Sequence, residues 1–295
     1  MFIGCHLSIS NGIHNCIEEI ESIGGTAFQI FLRNPKSLSY NEFSNKKIQE
    51  LKQLSTKLSK SNDESNKIKA VIHCPYVLNF CNIDTNVYNS SVEILKSDLE
   101  YANIANIEHC IIHVGKNTGK LSFEVAISNF ASGIAKVLNE TTHLNSKIVV
   151  ETAAGQGNEI CWKLKNLGRL RDFVYEKLID KIQINRLKYC IDTCHITSAN
   201  YDIINDCDRI INLIGKYLKW ENVVCVHVND NKGQIGCFVD RHEDIGYGTL
   251  GTDAILNFIH KIYKINNDII FILETPQTHS SITTQINLIK QKFMK

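Results

Sequence analysis

Eight short apolar runs punctuate this chain, and six of them carry a His, Asp or Glu near the carboxyl end. The six are Ile72-His73-Cys74, Ile112-His113-Val114, Val150-Glu151-Thr152, Cys190-Ile191-Asp192, Val226-His227-Val228 and Leu273-Glu274-Thr275. The full set of runs covers residues 2–8, 27–32, 70–76, 110–115, 148–152, 189–195, 223–230 and 269–275. Each is apolar throughout rather than alternating, which is how strands buried on both faces read. Strands that finish on charged, metal-seeking side chains suit a parallel barrel whose site is assembled at one rim from several strand ends.

Helical patterns separate the runs. Ile13, Cys16, Ile17, Ile20 and Ile23 step by three and four before Gly24-Gly25 ends the pattern. Val92, Leu95, Leu99 and Ala102 repeat it, as do Phe123, Ile127, Phe130, Ile134 and Leu138. Thr252 reads as an N-cap ahead of Ala254, Leu256 and Phe258. Strand followed by helix, with eight strands, predicts an α/β fold of the (β/α)8 TIM-barrel type, with the metal site at the C-terminal rim. An open doubly wound sheet is the alternative. The 295 residues suffice for one large barrel, and a single domain over 1–295 is expected. The polar stretch 59–67 is expected to be a mobile surface loop.

A net charge of +1 neither requires nor excludes a polyanionic partner, which would have to be bound by a local basic surface. The opening residues show no basic segment ahead of a long apolar one, so no signal peptide is expected. No apolar run approaches the roughly 18 residues of a membrane span. The eleven cysteines are scattered and often lie inside strand-like runs. That pattern predicts reduced thiols in an intracellular protein.

Imidazole, carboxylate and thiolate are the ligands zinc takes, and catalytic sites keep a position open. The candidates here are His73, His113, Glu151, Asp192, His195, His227, Asp240, His242 and Glu274. Asp192 and His195, three apart, can reach two different metals as the strand turns into its loop. Asp240-Arg241-His242 places two ligand types on either side of an arginine. Cys74 and Cys194 stand beside ligands but read more simply as small buried residues packing the rim. Gly246-Tyr247-Gly248-Thr249-Leu250-Gly251 has the literal spacing of a dinucleotide loop. No apolar strand leads directly into it, so its glycines are expected to turn a loop and start a helix.

Together these segments resemble the endonuclease IV family of apurinic/apyrimidinic endonucleases. The resemblance is carried by Ile3 through Ser8, Glu151-Thr152-Ala153-Ala154-Gly155-Gln156-Gly157, Cys190 through His195, His227-Val228-Asn229-Asp230, Asp240 through Gly246, and Leu273-Glu274-Thr275-Pro276. It runs in order over nearly the whole chain. It implies a TIM barrel holding three Zn2+ ions, with Mn2+ as a substitute. His73, His113 and Glu151 would hold the first ion. Glu151, Asp192, His227 and Glu274 would hold the second, and His195, Asp240 and His242 the third. The implied reaction is hydrolysis 5′ to an abasic site in double-stranded DNA, leaving a 3′-hydroxyl and a 5′-deoxyribose phosphate, together with trimming of blocked 3′ ends. A hydroxide held between metals, with Glu151 and Glu274 as the catalytic carboxylates, is the implied nucleophile. Lys36, Tyr76, Val77, Lys116 and Arg241 are the implied DNA contacts, and a monomer is expected.

Two other classes compete. A sugar isomerase or epimerase on a xylose-isomerase-like barrel has no use for the His195, Asp240 and His242 cluster. A non-catalytic DNA-binding barrel would be expected to have lost a ligand, and none is missing.

Overall fold

The computed structural model describes residues 1–63, 67–82 and 84–293. Eight parallel strands close into a barrel. In chain order they begin with β1 (Phe2–Leu7), β2 (Ala27–Phe31), β3 (Lys69–His73) and β4 (His109–Ile112). β5 (Lys147–Glu151), β6 (Leu187–Asp192) and β7 (Val223–His227) follow. A two-residue antiparallel hairpin, β8 (Asp230–Asn231) and β9 (His242–Glu243), then interrupts the sequence before β10 (Ile270–Leu273) closes the ring against β1. This is the TIM barrel that the strand count predicts.

Helices cover the outside: α1 (Cys16–Ser22), α2 (Asn45–Asp63), α3 (Thr85–Ile104), α4 (Phe123–Glu140) and α5 (Leu164–Lys177). They continue with α7 (Cys207–Tyr217), α8 (Gly251–Ile265) and α9 (Ile282–Phe293), while the fully buried α6 (Thr193–Ser198) follows β6 directly. None is long and apolar enough to cross a membrane, among the described residues. The core has two parts. Ile3, Ile30, Ile72, Ile148, Val150 and Val226 belong to the layer between strands and helices. Ala27, Val71, Ile111, Val149, Cys190, Cys225, Ile270 and Ile272 fill the barrel itself. All ten cysteines other than Cys237 are buried, and all eleven are free.

The period of two along a strand turns this inner layer into the floor of a site. Two residues beyond Val71, Ile111, Val149, Cys190, Cys225 and Ile272 stand His73, His113, Glu151, Asp192, His227 and Glu274. The same step from Ala27 and from Gly4 reaches Gln29 and His6.

Several boundaries differ from the sequence expectations. The run 189–195 does not stay extended. It turns at Asp192, whose carboxylate accepts the backbone N–H of His195 (2.8 Å) and caps α6, so His195 sits on a helix. The run 223–230 ends as a barrel strand at His227, and Asp230 pairs with Glu243 in the hairpin. Residues 59–63 of the expected loop continue α2, while 64–66 lie outside the described residues. The first helix opens with a 3-10 turn at Ile13–Asn15. Thr252 is not the cap of α8, which starts at Gly251. The free N–H groups of Leu250 and Gly251 are taken instead by buried Asp230, at 2.9 and 3.1 Å, a partner far away in sequence.

Candidate metal centre

Glu151 is the hub of the rim. Its Oε1 lies 2.9 Å from His227 Nδ1 and 3.2 Å from His195 Nδ1. Its Oε2 lies 3.2 Å from His113 Nε2 and 3.4 Å from His73 Nε2. Glu274 Oε2 faces the same His227 nitrogen at 3.2 Å, and Asp192 Oδ2 does so at 3.9 Å. Asp240 lies between two imidazoles, 3.2 Å from both His195 Nε2 and His242 Nε2.

Donor atoms within 4.8 Å of one another form the groups His73–His113–Glu151, Glu151–Asp192–His227–Glu274 and His195–Asp240–His242. Asp192 and His195 thus part company, one facing His227 and the other Asp240. Two further groups include sulfur: Cys190–Cys225–His227 beneath the rim, and Asp192–Cys194–His242. Burial pushes the Cys74 and Cys194 thiols up, which favours their protonated form.

Four of the imidazoles are held from behind through one ring nitrogen. His73 Nδ1 faces the Cys74 carbonyl at 2.8 Å, His195 Nδ1 faces that of Thr152 at 2.8 Å, and His242 Nδ1 faces that of Glu274 at 3.3 Å. His227 is turned round, with Nε2 against Gln29 Oε1 at 2.9 Å. A carbonyl oxygen only accepts, so the proton is held on that nitrogen and the other is left with its lone pair. In all four rings the other nitrogen faces a carboxylate, and the Nε2 atoms of His195 and His242 are buried without a hydrogen-bond partner.

A lone pair set against a carboxylate oxygen calls for a cation between them. At His227, His195 and His242 the bare protein favours a proton in that place. Burial would lower His227 and His195, but Glu274 acting on the first and Asp192 on the second hold them well above the usual imidazole range. Burial would likewise raise Glu151, but the facing His227 and His113 hold it well below the usual carboxylate range. Imidazole nitrogen with carboxylate oxygen, oriented from behind, is the donor set of a divalent metal. The residues therefore suit such ions.

Two supports carry no charge pattern in the sequence. Gln29, besides holding His227, donates from Nε2 to Glu274 Oε1 at 2.5 Å and approaches His6 Nδ1 at 3.0 Å. Asn229 donates to Asp192 Oδ2 at 2.7 Å and accepts the Glu274 N–H at 3.0 Å. Sequence reading missed Gln29 and His6 as site residues, although the inward parity of β1 and β2 would have singled out both.

A cleft of about 310 Å³ opens above the centre, lined by His6, His73, His113, His242 and Glu274 among others. Of the expected DNA contacts, Tyr76 lines this cleft, with its ring 6.4 Å from His113. Val77 shares its turn. Lys36 is exposed on the loop after β2. Lys116 lies beyond β4 with its Nζ 3.8 Å from Glu159, and Arg241 folds its guanidinium onto the Asp240 carbonyl at 2.6 Å. These four are not among the residues that line this cleft. The glycine motif follows only the two-residue β9, and its last glycine opens α8.

A barrel with a carboxylate and imidazole rim is the class these features define. Residues 17–292 match the family described as xylose isomerase-like TIM barrel. A probable endonuclease 4 of Clostridium beijerinckii is 34% identical over 98% of this chain and 97% of its own length. The crystal structure of endonuclease IV from Thermus thermophilus superposes with a TM-score of 0.80 at 26% identity, covering 100% of this chain and 99% of that one. A D-tagatose 3-epimerase-like protein superposes at 0.72, covering 100% of this chain and 97% of that one, but with 17% identity the likeness is one of fold. The chain belongs to the endonuclease IV family of apurinic/apyrimidinic endonucleases. It is a metal-dependent enzyme of DNA repair.

Proposed function

We propose that this protein cleaves the phosphodiester 5′ to an abasic site in duplex DNA, leaving a 3′-hydroxyl and a 5′-deoxyribose phosphate, and also trims blocked 3′ ends. The observation that supports it best is the set of three overlapping donor groups around Glu151 at the mouth of the barrel. His73, His113 and Glu151 would hold one Zn2+. Glu151, Asp192, His227 and Glu274 would hold a second, and His195, Asp240 and His242 a third, with Mn2+ as a substitute. Such ions neutralise charge on a phosphodiester and make water acidic enough to attack near neutral pH.

The chain's own residues do the positioning. Glu151 and Glu274 face the same His227 nitrogen from two sides, while Gln29 holds the Glu274 carboxylate and Asn229 accepts the Glu274 backbone N–H. Their charge excludes a phosphate from the floor of the cleft unless cations intervene, which ties substrate binding to metal loading. Tyr76 at the cleft and Val77 beside it in the same turn, with Lys36, Lys116 and Arg241 on the loops, would contact the displaced nucleotide and the DNA backbone. Turning out a nucleotide that has lost its base costs least, which gives selectivity without base readout. The chain would act as one unit over 1–295, as a monomer, inside the cell.

The test is a duplex holding one tetrahydrofuran residue, incubated with the zinc-loaded protein with and without a strong chelator. That residue lacks the aldehyde needed for elimination. A cut on its 5′ side leaving an extendable 3′-hydroxyl, lost after chelation, is the expected result. No cut by a sample containing about three zinc ions per chain would overturn the proposal.

A further inference from the structure

The glycine motif after β9 carries an aromatic residue that the metal centre does not use. Gly246 turns with φ +89°, and a Cβ on Gly248 would lie 2.5 Å from Asp230 Oδ1. The backbone is therefore pinned on both sides of Tyr247, whose side chain stands at the surface, 57% exposed. It is not a free surface residue. Its ring lies over that of His279, with centroids 4.8 Å apart and planes 16° from parallel.

Buried Asp244 fixes both partners. Its carbonyl accepts the Tyr247 N–H at 3.0 Å. Its carboxylate accepts the N–H groups of His279 at 2.6 Å, Ser280 at 3.0 Å and Gln277 at 2.8 Å. Gln277, two residues before His279, lines the metal cleft, as does Thr275. A solvent-exposed aromatic stack is thus tied through Asp244 to Gln277, a residue of the cleft wall.

We propose that the open face of Tyr247 is a stacking subsite for an unpaired nucleobase of the DNA substrate, namely the base across from the abasic position. This rests on the function proposed above. That base is the one in such a duplex with no pairing to lose, so it leaves the helix most cheaply. Stacking on an aromatic ring accepts any base, as an enzyme that meets all four opposite its lesion requires. His279 holds the ring in place before DNA arrives, so little freedom is lost on binding.

The test uses zinc-loaded protein and tetrahydrofuran duplexes carrying 2-aminopurine opposite the lesion. Tyr247→Ala is expected to raise KM about tenfold with kcat little changed, and Tyr247→Phe to restore it. Quenching of the 2-aminopurine is expected with the wild type and Tyr247→Phe but not with Tyr247→Ala. On a duplex with a second tetrahydrofuran in place of the opposite base, wild type and Tyr247→Ala should have the same KM.

A KM and quenching unaltered by Tyr247→Ala would overturn the subsite, as would an equal defect on the duplex lacking the opposite base. Should Tyr247→Ala melt early, His279→Ala keeps the tyrosine but removes its support, and it should show a smaller KM defect that also vanishes on that duplex. Failure of the wild type to cut any duplex would instead remove the underlying function.

Discussion

Gln29 Oε1 lies 2.9 Å from His227 Nε2, so an uncharged amide decides which nitrogen of a metal-seeking imidazole remains free. The same amide donates to Glu274, a second member of that donor group. Outer partners of this kind commonly alter metal affinity or activity about 10–100-fold when removed. Gln29→Leu is accordingly expected to weaken zinc retention by about that factor, read by competition with a chromophoric chelator. Retention equal to the wild type would mean that His227 keeps its orientation without the amide.

Glu274→Gln preserves the shape of the side chain and removes the charge facing His227. Incision of the tetrahydrofuran duplex should fall about a hundredfold or more, while the circular dichroism spectrum stays unchanged. A variant that cuts at close to the wild-type rate would exclude Glu274 from the reaction.

Two groups give the metal-stripped protein a defined pH response. Burial lowers His242, but Asp192 and Asp240 more than offset it and hold it up at about 9 against an ordinary 6.5. Its contribution to stability is complete below 6.5 and is lost as pH rises through about 9. Glu274, raised by burial but lowered more strongly by His227 and other imidazoles, stands at about 2 against 4.5. Its contribution is complete above 4.5 and is lost as pH falls through about 2. Through these two groups, melting of the stripped protein should decline as pH rises from 6.5 towards 9 and as it falls from 4.5 towards 2. Zinc displaces the imidazole proton, so zinc binding should tighten over the interval in which the stripped protein weakens. A stripped protein with flat melting from 6.5 to 9 would contradict the assignment.

Asp230 is buried, and its carboxylate takes the N–H groups of Asn231, Gly246, Leu250 and Gly251 at 2.8 to 3.1 Å. Asp230→Ala leaves these donors unpaired and should cost about 3 kcal/mol in urea unfolding. Asp230→Asn, which keeps an acceptor, should recover part of this. A loss below about 0.5 kcal/mol would show that water replaces the carboxylate.

The barrel was legible because strands buried on both faces leave unbroken apolar runs, and its candidate ligands because charged groups at the ends of such runs stand out. Gln29 escaped because an amide carries no such contrast. His195 was legible as a candidate donor but not as a helical residue, since the cap that turns the chain is itself the candidate donor Asp192. The start of α8 was misplaced because its capping carboxylate comes from Asp230, twenty residues upstream. Tyr247 and His279 meet across thirty-two residues. No local pattern records that kind of contact.

The third donor group has an architectural consequence. His73, Glu151, Asp192 and His227 are on barrel strands, with His113 and Glu274 one residue past their ends. His195, Asp240 and His242 instead come from a six-residue helix and from the segment between β7 and α8. The strands hold a carboxylate and imidazole floor that the closed sheet keeps rigid, while the remaining donors ride on replaceable connections. A lineage of such barrels could exchange a single excursion of the chain and convert one kind of catalyst into another, leaving the register of every barrel strand as it was.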